Sequence, residues 1–117
     1  MSKWTRTGDY PTKEYAKFVP VTYELLKRNA KKFVIWVNTT ALRTKGDLNL
    51  FTPKNQQVID RNKIVDQYCT DNNIALVDFY SETADSIAYY SNDGVHFNNT
   101  GVKKEAELII EKILEIL

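Results

Sequence analysis

Phe33-Val34-Ile35-Trp36-Val37 is the stretch that decides the fold. It is an unbroken apolar run of β-branched and aromatic residues, bounded by Lys31-Lys32 and by Asn38-Thr39-Thr40. A short run without polar alternation is the pattern of a strand covered on both faces, as in a parallel sheet. C-terminal to it, residues 41–52 read as a loop containing Gly46. Thr52-Pro53 then reads as a helix start, with threonine as N-cap and proline at the first helical position. That helix runs to about Asp71, with Val58, Ile59, Val65, Tyr68 and Cys69 along one side, and Asn72-Asn73 ends it. Ile74-Ala75-Leu76-Val77-Asp78-Phe79 is a second buried strand by the same criterion. N-terminal to the first strand, residues 1–11 are irregular, with turns at Gly8, Asp9 and Pro11. A helix begins near Thr12 and carries Tyr15, Phe18, Val19, Leu25 and Leu26. Pro20 is expected to kink or restart it, because proline removes a helical hydrogen bond.

After the second strand come a short helix over residues 81–90 and a turn at Asn92-Asp93-Gly94. A long helix follows, capped by Asn99 or Thr100. Its Val102, Ala106, Ile109, Ile110, Ile113 and Leu117 recur at helical spacing. The order helix, strand, helix, strand, short helix, loop, helix places residues 1–117 in one α/β domain with parallel strands. Two parallel strands alone are a poor sheet, because such sheets need covered faces and paired edges. Completion is therefore expected from unrecognised strands, another copy or another chain, and a homo-oligomer is expected because bare edges invite pairing.

Composition narrows the partners. Sixteen Lys and Arg against fifteen Asp and Glu leave a net charge of +1, with no long run of one sign. A nucleic-acid partner is not expected, since phosphate binding needs a concentrated basic face. The single cysteine, Cys69, has no disulfide partner and reads as a small buried hydrophobe. With one Cys and one His, four ligands of those types for a structural zinc are not available, and neither metal nor cofactor is expected. No apolar run approaches the roughly 20 residues that span a bilayer, and the N-terminus shows no signal-peptide core. A soluble, cytoplasmic protein without membrane contact is the expectation.

Chemistry concentrates in Asp93-Gly94-Val95-His96-Phe97-Asn98-Asn99-Thr100-Gly101, which leads into the last helix. His96 is the only histidine. An Asp three residues before a His on a tight turn can hold one ring nitrogen and fix the tautomer. The other nitrogen is then free to act as a base. This is the base and orienter of a nucleophile triad, compressed into one loop. Read alone, the pair is also compatible with a loop histidine beside a capping carboxylate.

The whole string resembles the last signature block of SGNH (GDSL-like) hydrolases, in which Asp-Gly-Val-His-Phe precedes a glycine and a C-terminal amphipathic helix. Phe33 to Arg43 resembles the family's strand ending in a threonine-rich turn. Asp60-Arg61-Asn62-Lys63-Ile64-Val65 is similar to its next helix, and Ile74 to Phe79 to the strand leading into the catalytic loop. The resemblance covers roughly residues 12–117. It implies a three-layer, flavodoxin-like SGNH hydrolase fold, here truncated to its C-terminal portion in the order helix-strand-helix-strand-helix.

Carried over residue by residue, His96 matches the general base and Asp93 its orienting carboxylate. The family's nucleophile lies in a Gly-Asp-Ser block on the first strand, and its oxyanion donors are a Gly and an Asn in two middle blocks. None of these is found. Gly8-Asp9-Tyr10 has Tyr where Ser belongs and precedes a helix. The serines are Ser2, Ser81, Ser86 and Ser91, and Ser91, nearest the loop, reads as a turn residue.

Asn38 is a candidate amide donor at a strand's C-terminal end, where open α/β sheets bind ligands, or simply the residue that ends the strand. Thr40 and Arg43 complete a candidate substrate-binding set. Arg43 opens the loop Arg43-Thr44-Lys45-Gly46-Asp47, where family members often shape the acyl or sugar pocket, and a solvated loop is its other reading. The implied function is hydrolysis of an acyl or acetyl ester of a lipid or carbohydrate. The alternative is a non-catalytic fragment, a split-enzyme subunit or a degenerate member used for binding or assembly. The expected partners are correspondingly a small-molecule ester or a complementary chain. A nucleotide-binding α/β domain is disfavoured, since no Gly-rich loop joins a strand to a helix.

Overall fold

Two apolar tripeptides pair in parallel at the centre of the molecule, β1 (Ile35–Val37) and, later in the chain, β4 (Ala75–Val77). Ile35 lies opposite Ala75, Trp36 opposite Leu76, and Val37 opposite Val77. The structure, a computed structural model, describes residues 12–117. Side chains alternate along a strand, so Trp36 and Leu76 face one way while Ile35 and Val77 face the other. On the first face α1 (Thr12–Asn29) and α2 (Asn55–Asp71) bury Tyr15, Val19, Val65, Cys69 and Ile74 against Trp36 and Leu76. On the second face α4 (Asn99–Ile116) buries Leu108 with Val77 and Phe79 against Ile35. The result is three layers, helix, sheet and helix, as expected. Cys69 sits in the first core, where burial pushes its thiol up to about 11. Among the described residues no helix is long and apolar enough to cross a membrane.

Several local expectations are corrected. β1 is not buried on both faces, for Ile35 and Trp36 are half-buried and Val37 is 39% exposed. Among the described residues β1 and β4 have only each other as partners, so both outer edges of the sheet are uncovered. Pro20 does not restart α1, which runs unbroken past it. The ring lies on the helix's exposed side, clear of the core made by Tyr15 and Val19.

Residues 41–52 are not simply a loop. They hold an antiparallel hairpin of β2 (Arg43–Thr44) and β3 (Asp47–Phe51), turning through Lys45 and Gly46. Gly46 has φ +88° at the second central position of the turn, the conformation a type II turn requires there and glycine supplies without strain. Thr52 does not cap α2. Its N–H extends the hairpin by donating to the Leu42 carbonyl at 3.0 Å, and α2 begins three residues later with Lys54 at the cap position.

β4 stops at Val77 because Asp78 turns the chain and caps α3 (Phe79–Thr83), accepting from the Ser81 N–H at 3.1 Å. The single short helix expected over 81–90 is therefore α3 followed by a 3-10 turn at Ile87–Tyr89. The cap of α4 is Asn98, not Asn99 or Thr100. Its Oδ1 accepts from Gly101 N–H at 3.0 Å, and its Nδ2 donates to the carbonyls of Ala88 at 2.7 Å and Tyr90 at 3.2 Å. The apolar stripe of α4 is split between the core and solvent, with Ile113 half-buried. Leu108 and Gly101 are buried and Ile109 is half-buried, whereas Val102, Ile110 and Leu117 are exposed.

Two outcomes follow. Asn98→Ala removes a cap and two carbonyl ties, and should cost about 2 kcal/mol in urea unfolding. The uncovered edge and α4 stripe should make the chain self-associate as concentration rises in sedimentation velocity, with Val37→Lys/Ile110→Lys weakening that association.

Candidate active site

The Asp93 loop is built from local geometry upward. Asp93 Oδ1 accepts the backbone N–H groups of Val95 at 2.8 Å and His96 at 2.9 Å. This folds the chain back on the carboxylate and leaves Oδ2 to meet His96 Nδ1 at 2.6 Å. Gly94 is obligatory between them. Its φ is +75°, and a Cβ would stand 2.1 Å from the Arg43 carbonyl oxygen. The loop closes on itself through Ser91 N–H to His96 O at 2.8 Å and a bridge between Tyr90 and Phe97, whose rings pack edge to face at 4.8 Å. It is anchored to β2 through Arg43 N–H to Gly94 O at 2.8 Å.

The hydrogen bond from the His96 ring, followed by the two backbone N–H bonds, holds the Asp93 carboxyl down to about 2. The His96 side chain is 75% exposed. An ion pair that open to water adds little to stability, so what the pairing supplies is ring orientation.

His96 stands at the lip of a cleft of about 290 Å³ that also has Asn38, Thr40, Leu42, Phe79 and Glu105 in its wall. Glu105 was not singled out from the sequence. It lies in the helix that the loop feeds, and burial pushes its carboxyl up. Asn38 is buried where β1 ends, and its side chain is fully engaged. Oδ1 accepts from Tyr80 N–H at 3.0 Å, while Nδ2 donates to Asp78 at 2.7 Å and Asp66 at 3.2 Å. Burial raises the Asp66 carboxyl. Asp78 is lowered despite its burial, by hydrogen bonds from Asn38 and Ser81.

Next along, the Asn62 side chain clasps Thr39, accepting from its N–H at 2.9 Å and donating to its carbonyl at 2.8 Å.

The structure thus brings His96, Asn38 and Thr40 to one cleft, with Asp93 behind His96. Arg43 lies elsewhere. It is 5% exposed, its Nη1 donates to Leu48 O at 2.9 Å and its Nη2 to Ala84 O. The expectation of a solvated loop at Arg43 is corrected by that burial. Among the described residues no serine hydroxyl is bonded to His96. Ser91 shapes the turn, with its carbonyl accepting from Gly94 N–H at 3.1 Å. Ser2 and Gly8-Asp9-Tyr10 lie outside the described residues.

Comparison with known proteins fits this geometry. The family model "GDSL-like Lipase/Acylhydrolase" matches residues 4–109. No curated protein matches the chain. Among solved structures, a GDSL-like lipase from Bacteroides thetaiotaomicron is 24% identical with a TM-score of 0.72, over 95% of this chain and 56% of its own. A candidate acylhydrolase from Bacteroides fragilis is 26% identical with a TM-score of 0.73, over 97% of this chain and 56% of its own. The esterase domain of a zebrafish retrotransposon ORF1 protein is 13% identical with a TM-score of 0.76, over 94% of this chain and 62% of its own. The likeness to the zebrafish domain and to the lipase is one of fold. The chain therefore spans a little over half the length of the bacterial structures it matches. With the family model covering residues 4–109, the chain belongs to the GDSL-like lipase/acylhydrolase family.

Proposed function

We propose that this chain supplies the base side of an ester hydrolase active site, with His96 as general base and Asp93 as the carboxylate that orients it. The observation that carries the reading is the 2.6 Å contact between His96 Nδ1 and Asp93 Oδ2 at the mouth of a cleft, with the imidazole open to it. In the proposed reaction a serine hydroxyl gives its proton to His96 Nε2 as its oxygen attacks the ester carbonyl. The imidazolium, stabilised by Asp93, returns that proton to the departing alcohol. Water then repeats the cycle on the acyl-enzyme. The serine comes from outside the described residues, on a complementary segment or chain that adds to the uncovered sheet edge.

The substrate we propose is an acyl or acetyl ester of a lipid or carbohydrate. A cleft of about 290 Å³ is at the small end of ligand sites, which suits a short acyl group. Thr40 and Asn38 lie along its wall, Thr40 placed to meet substrate and Asn38 to hold the wall in place. Arg43, the third residue of the expected set, serves the site from behind.

The first test is hydrolysis of p-nitrophenyl acetate by the purified chain. A rate above buffer should fall to background in His96→Ala and by at least about tenfold in Asp93→Asn, the scale of positioned general-base help. Equal and negligible rates in all three would sink the reading that this chain hydrolyses esters by itself, and would leave its base side to be tested with the complementary segment or chain present.

A second test uses stability. The Asp93 pKa is about 2 when folded, below the ordinary carboxylate value, so the unfolded chain binds protons more readily there. Its stabilising contribution is complete above about pH 4 and is lost as pH falls through about 2. The stability gap between the unsubstituted chain and Asp93→Asn, followed by urea unfolding, should close across that window.

A further inference from the structure

We propose that Arg43 is the positioning residue of the Asp93–His96 pair, setting the height and tilt of the loop that presents the imidazole. This role rests on the base-pair reading above and goes beyond it, because Arg43 touches neither His96 nor the cleft that His96 lines. Its backbone and side chain act on the same loop from two directions.

Through its backbone, Arg43 is the seat of the turn. Its N–H donates to the Gly94 carbonyl at 2.8 Å, and its own carbonyl lies so close beneath Gly94 that a Cβ there would stand 2.1 Å away. The turn that carries Asp93 thus rests directly on Arg43, with no side chain between. Any shift of this residue moves Gly94, and with it the Asp93 carboxylate that holds His96 Nδ1.

Through its side chain, Arg43 is pinned from several segments. The guanidinium donates across the hairpin to Leu48 O at 2.9 Å and to Ala84 O in the turn after α3. Its two faces of contact are the ring of Phe51, 4.5 Å away, and that of Tyr90, 5.4 Å away. Tyr90 is the loop's own first rung, bridged to Phe97 and bonded through its hydroxyl to Ala41 O at 2.9 Å. Only a planar fork can serve two carbonyls while lying against a ring, and a lysine ammonium cannot reproduce it. The cation is used for its shape, buried among carbonyls, rather than offered to a ligand.

The sole histidine makes the test direct. In a two-bond 1H–15N spectrum of the labelled full chain, one imidazole reports its own tautomer. In alkaline buffer the unsubstituted chain should favour the Nδ1–H form, since Asp93 accepts that proton. Asp93→Asn should abolish the preference. Arg43→Gln and Arg43→Lys should each lower the Nδ1–H to Nε2–H ratio about fivefold to tenfold, the factor one net hydrogen bond is worth.

An unchanged ratio in folded Arg43→Gln, even with a lower melting temperature, would overturn the proposal and leave the Asp93–His96 reading standing. A ratio held in Arg43→Lys but lost in Arg43→Gln would also overturn it, since charge rather than the fork would then be the cause. Should Arg43→Gln fail to fold, Phe51→Ala decides. It removes an exposed ring from the guanidinium, and the ratio should fall about twofold, against no change if Arg43 does not position the loop. No Nδ1–H preference in the unsubstituted chain would overturn the pairing and this role together.

Discussion

Three rungs of parallel ladder hold the cleft in place. Because Val37 pairs with Val77, the residues that follow, Asn38 and Asp78, leave the sheet side by side. Asn38 N–H continues the ladder to Val77 O at 3.2 Å, and its side chain then ties Asp78 and Tyr80 to the end of β1. The two chain segments are thereby locked where they diverge. One goes on to Thr39 and Thr40 along the cleft, the other into α3 and Phe79. A buried amide with donors and acceptor all engaged is costly to misplace, since any shift leaves a polar group unpaired away from water. A three-residue sheet thus fixes the position of side chains well beyond its length.

The loop of His96 follows a different logic. Its internal shape is local, with Asp93 gathering two backbone N–H groups and one imidazole nitrogen within four residues. Its placement is not local. The loop is set down on Arg43, fifty-one positions earlier than Gly94, and joined through Asn98 to the 3-10 turn and to α4. Internal shape and external anchoring meet at Gly94, which rests directly on Arg43, so a shift of Arg43 is passed to the bond between Asp93 and His96.

This division also explains what the sequence revealed. The Asp93–Gly94–His96 arrangement was legible because its interactions close within a few residues, and apolar spacing with end signals located α1, α2 and α4 to within a few residues. The β2–β3 hairpin was not legible. Arg43-Thr44 is too short to show alternation, and β3 reads Asp-Leu-Asn-Leu-Phe with its apolar residues largely exposed, so no buried face marked it. The α2 start was misplaced because Thr52 closes the hairpin on Leu42 and its hydroxyl accepts from no helix N–H, so it does not act as a cap. The cap of α4 was missed for a related reason, for Asn98 and Asn99 are equally good caps in composition. Only the carbonyls of Ala88 and Tyr90 select Asn98. Arg43 looked like a surface cation because a buried guanidinium is recognised by its acceptors, and carbonyls carry no sequence signal.

The exposed part of the α4 stripe belongs to the same argument as the uncovered sheet edges. Helical spacing identified an apolar stripe that includes Ile109, beside Leu108, and Ile113, both half-buried, while its Val102, Ile110 and Leu117 stay exposed. An 18-residue helix with a second apolar face implies a second surface to cover it, since that much exposed aliphatic area is unfavourable in water. The sheet makes the same demand, with Val37 exposed at its margin. At the cleft His96 is bonded to Asp93, and among the described residues no serine hydroxyl is bonded to His96. Related folds extend well beyond the part matched here, which accounts for 56% of two of them. Among the described residues both the α4 face and the sheet edges are uncovered, and burying either in an association would be favourable in water.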